Sequence, residues 1–151
     1  MSDEMREALE LVAPRILEEA AFFFSDPLTN SDQRPKDDWD PVGIEMSWEG
    51  DASSGTIRVW SDPDLLVVLA ANMLGVEEDN PKAEAQRRDA LGEVLNMVLG
   101  NSLTEAWGPG PVFQLGIPHA ADQVNLSDDF ESGFWLVAEG KPMLFWVGAT
   151  Q

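Results

Sequence analysis

Asp89, Glu93 and Asn96 are the residues with which this chain could do chemistry, and they are spaced four and three apart. A helix turns about 100° per residue, so Glu93 lies at about +40° and Asn96 at about −20° from Asp89, and the three share one stripe. Two carboxylates and an amide offer acceptors and a pair of N–H donors, but no hydroxyl or thiol. No Ser-His-Asp or Cys-His set, glycine-rich phosphate loop or Walker pattern accompanies them. A self-contained hydrolase is therefore hard to assemble from this inventory. The plain alternative is a solvated helix face with no chemistry at all.

The stripe needs a helix under it, and Pro81 to about Trp107 predicts one long helix. Leu91, Val94, Leu95, Val98 and Ser102 cluster on the side opposite the stripe, flanked by Ala90, Leu99 and Ala106. That face would hold the helix on a core and turn Asp89, Glu93 and Asn96 outward. Gly100 falls on the same stripe and leaves a bare patch for close approach. Lys82, Arg87 and Arg88 occupy the first turns. They either balance Glu84 and Asp89 or attract an acidic partner.

After Asn96 come twenty-one residues and then Pro118. The pattern Asp-x3-Glu-x2-Asn-x21-Pro resembles the signature of the CheC/CheX/FliY chemotaxis phosphatases, and GEVLNMVLGN resembles their active-site helix. One copy of the motif is present, which is most like a CheX-type member. The resemblance implies a phosphatase acting on the phosphoaspartate of a CheY-like receiver domain. It makes Glu93 and Asn96 catalytic: Asn96 would hold the attacking water in line, and Glu93 would dock on the receiver's lysine. Asp89 and Pro118 would support them, Asp89 by shaping the entrance or bonding the partner's backbone and Pro118 by fixing the loop beside the helix. The chain would need no cofactor of its own, with Mg2+ supplied by the receiver. Such hydrolysis depends mostly on positioning and charge stabilisation, which suits an amide. Lys82, Arg87, Arg88 and Gly100 would lie on the partner-binding side. Two rivals stand beside this reading: a receiver-binding adaptor without catalysis, and a structural homodimer with no receiver.

Composition sets outer bounds. The chain has 151 residues, no cysteine and one histidine, His119. Disulfides, thiol nucleophiles and multi-histidine metal sites are excluded, and a reducing compartment fits. His119 reads as an ordinary surface residue that happens to follow Pro118. The formal net charge is −19. That speaks against nucleic acid and anionic membrane surfaces as partners. The N-terminus, MSDEMREALE, has no signal-peptide character, and the longest apolar run, Leu65 to Leu74, is far too short to span a membrane. A soluble, cytoplasmic protein is expected.

The remaining elements follow from periodicity and punctuation. Glu4 to Phe24 reads as a first helix interrupted by Pro14, with Phe22-Phe23-Phe24 in core or dimer contact. Ser25 to Pro41 reads as a loop, the segment expected to be mobile. Val42 to Trp48 and Thr56 to Trp60 form a hairpin across Gly50 to Gly55. Asp62-Pro63 starts a buried helix that Gly75 ends. Gly108-Pro109-Gly110-Pro111 stops the motif helix, Val112 to Ile117 is a strand, and His119 to Glu131 is looped. Phe134 to Ala138 and Met143 to Val147 make a second hairpin around Glu139 to Pro142, in a central sheet position. The fold expected over residues 1–151 is one α/β domain, CheX/CheC-like, with a mainly antiparallel sheet covered by helices and a long exposed motif helix. A homodimer through a sheet edge follows from the same resemblance.

Overall fold

The computed structural model describes residues 3–29, 34–124 and 133–149. A first helix, α1 (Asp3–Ala21), runs through Pro14 without stopping. It ends three residues earlier than its periodicity predicts. Phe22 takes a positive φ of 56° and its N–H donates to the Glu18 carbonyl, a left-handed cap built without glycine. The three phenylalanines therefore part company. Phe23 is buried, while Phe22 and Phe24 are 67% and 76% exposed.

The segment after α1 is not wholly loop. β1 (Ser25–Pro27) pairs with β6 (Phe134–Ala138) at one edge of the sheet. β2 (Val42–Gly50) and β3 (Gly55–Ser61) form the expected hairpin, extended at both ends by their pairing. α2 (Pro63–Leu74) begins where Asp62 accepts the Asp64 N–H, and Gly75 closes it at φ 70°. β6 and β7 (Lys141–Ala149) meet through a turn of only two residues, Glu139 and Gly140. Both have positive φ, the geometry that lets a tight turn follow the strand twist, so Lys141 and Pro142 belong to the strand rather than to the turn.

The predicted long helix is two pieces. α3 (Pro81–Ala85) is one turn, capped by Asn80, and α4 (Arg87–Trp107) follows after Gln86, whose φ, ψ of −98°, 5° break the helix. α4 ends at Gly108, and the chain returns as β4 (Phe113–Leu115) and β5 (His119–Ala120). β5 lies in the stretch expected to be loop; residues 121–124 after it carry no regular structure, and residues 125–131 lie outside the described residues.

Among the described residues the sheet has seven antiparallel strands in the order β1-β6-β7-β3-β2-β4, with β5 also on β2. One core joins α1, α2 and α4 to the inward faces of the strands, among them Met46, Ile57, Leu136 and Phe145. A smaller cluster, Trp60, Trp135 and Leu144, lies apart from it, with Trp39 and Trp146 packed against it. Alternation along the strands puts these on the other side of the sheet from the helices. The mixed α/β architecture with an antiparallel sheet is as expected. Among the described residues, no helix is long and apolar enough to cross a membrane.

Candidate active site

α4 is built to be held from one side. Leu91, Val94, Leu95, Val98 and Leu99 are fully buried, and Ser102 is buried with them. With that face in the core, helix geometry turns Asp89, Glu93 and Asn96 to solvent, and all three are exposed. None of the three side chains has a hydrogen-bond or ion-pair partner among the described residues.

The opposite wall comes from the edge of the sheet. β4 pairs with Trp48–Gly50 of β2, and β5 pairs with Ile44 and Glu45. Residues 116–118 bridge the two and stay tied to β2, because the Gly116 N–H donates to the Ser47 carbonyl at 2.8 Å. A Cβ placed at Gly116 would meet Ser47 Oγ at 2.7 Å, so a side chain there would make the Ser47 hydroxyl turn away. The ring of Phe113 lies 6.0 Å from that of Trp107, which pins β4 to the end of α4.

Between the two walls lies a cavity of about 470 Å³. Arg88, Asp89, Glu93 and Asn96 line it from α4, and Gly116, Ile117 and Pro118 line it from the sheet edge. Ile44 and Gly92 complete it. The fold thus brings together Asp89, Glu93, Asn96 and Pro118, which are far apart in the chain. Of the three cations picked from the sequence, only Arg88 reaches the cavity. Lys82 sits on α3, and Arg87 is half-buried at the start of α4; neither lines it. None of the three makes an ion pair among the described residues. Gly100 lies beyond the cavity with nothing within 4 Å of a Cβ placed there, the bare patch expected of it.

Four cavity residues escaped sequence reasoning: Ile44, Gly92, Gly116 and Ile117. Gly92 is where Pro118 rests: a Cβ on Gly92 would lie 3.2 Å from Pro118 Cβ. A glycine in a helix interior costs about 1 kcal/mol relative to alanine, and that cost was the available signal. Ile117 is 84% exposed at the cavity wall, and nothing local in the sequence marks it. His119 sits just outside. Its Nδ1 is 3.2 Å from the Ile117 carbonyl and its Nε2 is 3.6 Å from Glu45 Oε2.

Among the described residues no serine, cysteine, histidine or lysine lines the cavity. Its groups can accept, donate and position, and can dock a cation on a carboxylate. Among the described residues no group of three His, Cys, Asp or Glu side chains is placed to hold a metal.

The family model for the chemotaxis phosphatase CheX matches residues 42–133, which span the β2–β3 hairpin, α4 and both halves of the edge strand. The chain belongs to the CheX family. Solved structures share the CheX fold at low identity. The chemotaxis protein CheX of Desulfovibrio desulfuricans is 18% identical, with 97% of this chain and 99% of that one covered and a TM-score of 0.70. The CheX of Vibrio vulnificus is 16% identical, with coverage of 97% and 96% and a TM-score of 0.70. The CheX of Borrelia burgdorferi, solved in complex with CheY, BeF3 and Mg2+, is 17% identical, with 97% of each chain covered and a TM-score of 0.67. No curated protein matches the sequence.

Proposed function

We propose that this protein is a phosphatase for the phosphoaspartate of a CheY-like receiver domain. The observation that carries the reading is one cavity in which Glu93 and Asn96, exposed and unpartnered, face Pro118 across the edge of the sheet in a CheX-family chain. The structure of a CheX relative solved with CheY supports a receiver as partner.

In this reading the receiver brings the acyl phosphate, a lysine and Mg2+. Asn96 accepts from and donates to the attacking water, and holds it in line with phosphorus. Orientation of this kind can lower a barrier by several kcal/mol. Glu93 accepts from the receiver's lysine and fixes the register of the two proteins. Asp89 shapes the entrance. Pro118, its backbone angle fixed by its ring and its ring seated on Gly92, sets the width of the cleft. The protein acts in the cytoplasm, as a homodimer through a free sheet edge.

The test is the lifetime of phosphoaspartate on each of the host's own receivers. Wild type shortens it for the cognate receiver. Glu93→Ala loses affinity for the beryllofluoride-activated receiver. Binding by the wild type without any change in lifetime would make the site a recognition surface and overturn the enzymatic reading.

A further inference from the structure

Ile117 has no part in the polar chemistry proposed for the cavity, yet it forms part of its wall. It is 84% exposed, Val112 is 82% exposed and Leu115 is 39% exposed, all on the one short segment that edges the sheet beside α4. Apolar residues exposed singly are ordinary; three on one edge, one of them inside the candidate site, call for an occupant.

Ile117 is also held still. The residue before it is hydrogen-bonded to β2 through the Ser47 carbonyl, the residue after it is seated on Gly92, and His119 and Ala120 then pair with β2. So fixed a backbone has little freedom of its own to lose on contact, which favours binding.

We infer that residues 112–117 form the apolar half of the docking surface, with Ile117 as its anchor. The occupant is the receiver surface that borders its phosphorylated aspartate. The inference rests on the phosphatase reading and adds to it where the affinity comes from. Two observations point to that occupant. The first is continuity: Ile117 lines the same cavity as Glu93 and Asn96, so a protein whose phosphoryl group reaches Asn96 covers Ile117. The second is charge. This chain carries −19, and a phosphoryl group brings roughly −1.5 to −2 more at pH 7. That acidity works against long-range attraction of a phosphorylated partner, and an apolar contact has no sign to oppose it. Ile117 then supplies affinity, while Asn96 supplies rate.

The experiment is steady-state dephosphorylation of the cognate receiver at varied receiver concentration, with Ile117→Ala and Ile117→Leu beside wild type. Because Ile117 is exposed, neither change should disturb folding, and melting temperature checks this. Ile117→Ala raises KM roughly tenfold with kcat within about twofold of wild type, and Ile117→Leu restores KM. An unchanged KM in Ile117→Ala overturns the inference and leaves the phosphatase reading standing, as does a fall in kcat alone. If wild type accelerates no host receiver, the phosphatase reading fails and takes the inference with it.

Discussion

Gly92 and Gly100 lie eight residues apart in α4 and meet different surroundings. Nothing stands within 4 Å of a Cβ on Gly100, whereas one on Gly92 would press on Pro118 at 3.2 Å. Gly100→Ala should therefore return most of the helix-propensity gain of about 1 kcal/mol, raising the melting temperature by about 2–4 °C. Gly92→Ala should gain less, because Pro118 must give way and its segment is tied to β2. A melting series on the two variants checks this, and equal gains would mean that Pro118 moves freely. The contrast also marks what a sequence can say at this scale. Both glycines are visible, and so is the angle that puts Asp89, Glu93 and Asn96 on one stripe, since helix geometry alone fixes it. What presses on Gly92 comes from a residue 26 positions away and is set by the sheet.

At the scale of the element, α4 does two jobs with two faces. Its buried face carries one misfit, Ser102, whose hydroxyl is buried without a hydrogen-bond partner. Removing it should help. Ser102→Ala loses an unsatisfied group and gains helix propensity, so stability should rise by about 0.5–1 kcal/mol, read from denaturant unfolding. Leu95→Ala, on the same face and fully buried, should cost about 2–5 kcal/mol. A loss well below about 2 kcal/mol for Leu95→Ala would contradict the assignment of that face to the core. The core face was legible because its period is regular. The break at Gln86 was not, because no glycine or proline marks it. β1 and β5 were missed for a related reason. They have three and two residues, too few for any period, and exist only because β6 and β2 offer open edges. The left-handed cap at Phe22 carries no glycine, so nothing in the sequence marks the end of α1 there.

For the whole molecule, charge dominates. With 28 acidic against 9 basic residues the chain repels itself and any acidic partner. Raising salt from about 0.05 to about 0.3 M shortens the Debye length and should raise the rate of association with a phosphorylated receiver, by about threefold. Stopped-flow binding across that range checks it, and a rate that falls with salt would place the docking energy in attractive charge after all. Arg88 is the cation that reaches the cavity, so replacing Lys82, Arg87 and Arg88 together should weaken binding chiefly through Arg88. The acidity and the antiparallel architecture could both be read from the sequence. That the edge strand would break into β4 and β5 and turn residues 116–118 toward α4 could not, since that depends on how two distant segments register on β2.

The most direct measurement is the decay of phosphoaspartate on the cognate receiver with wild type and with Asn96→Ala, alongside binding of the beryllofluoride-activated receiver by both. The account predicts fast decay with wild type, decay at the receiver's own rate with Asn96→Ala, and binding by both. Equal acceleration by the two proteins would contradict it, because the water would then be held by something other than Asn96.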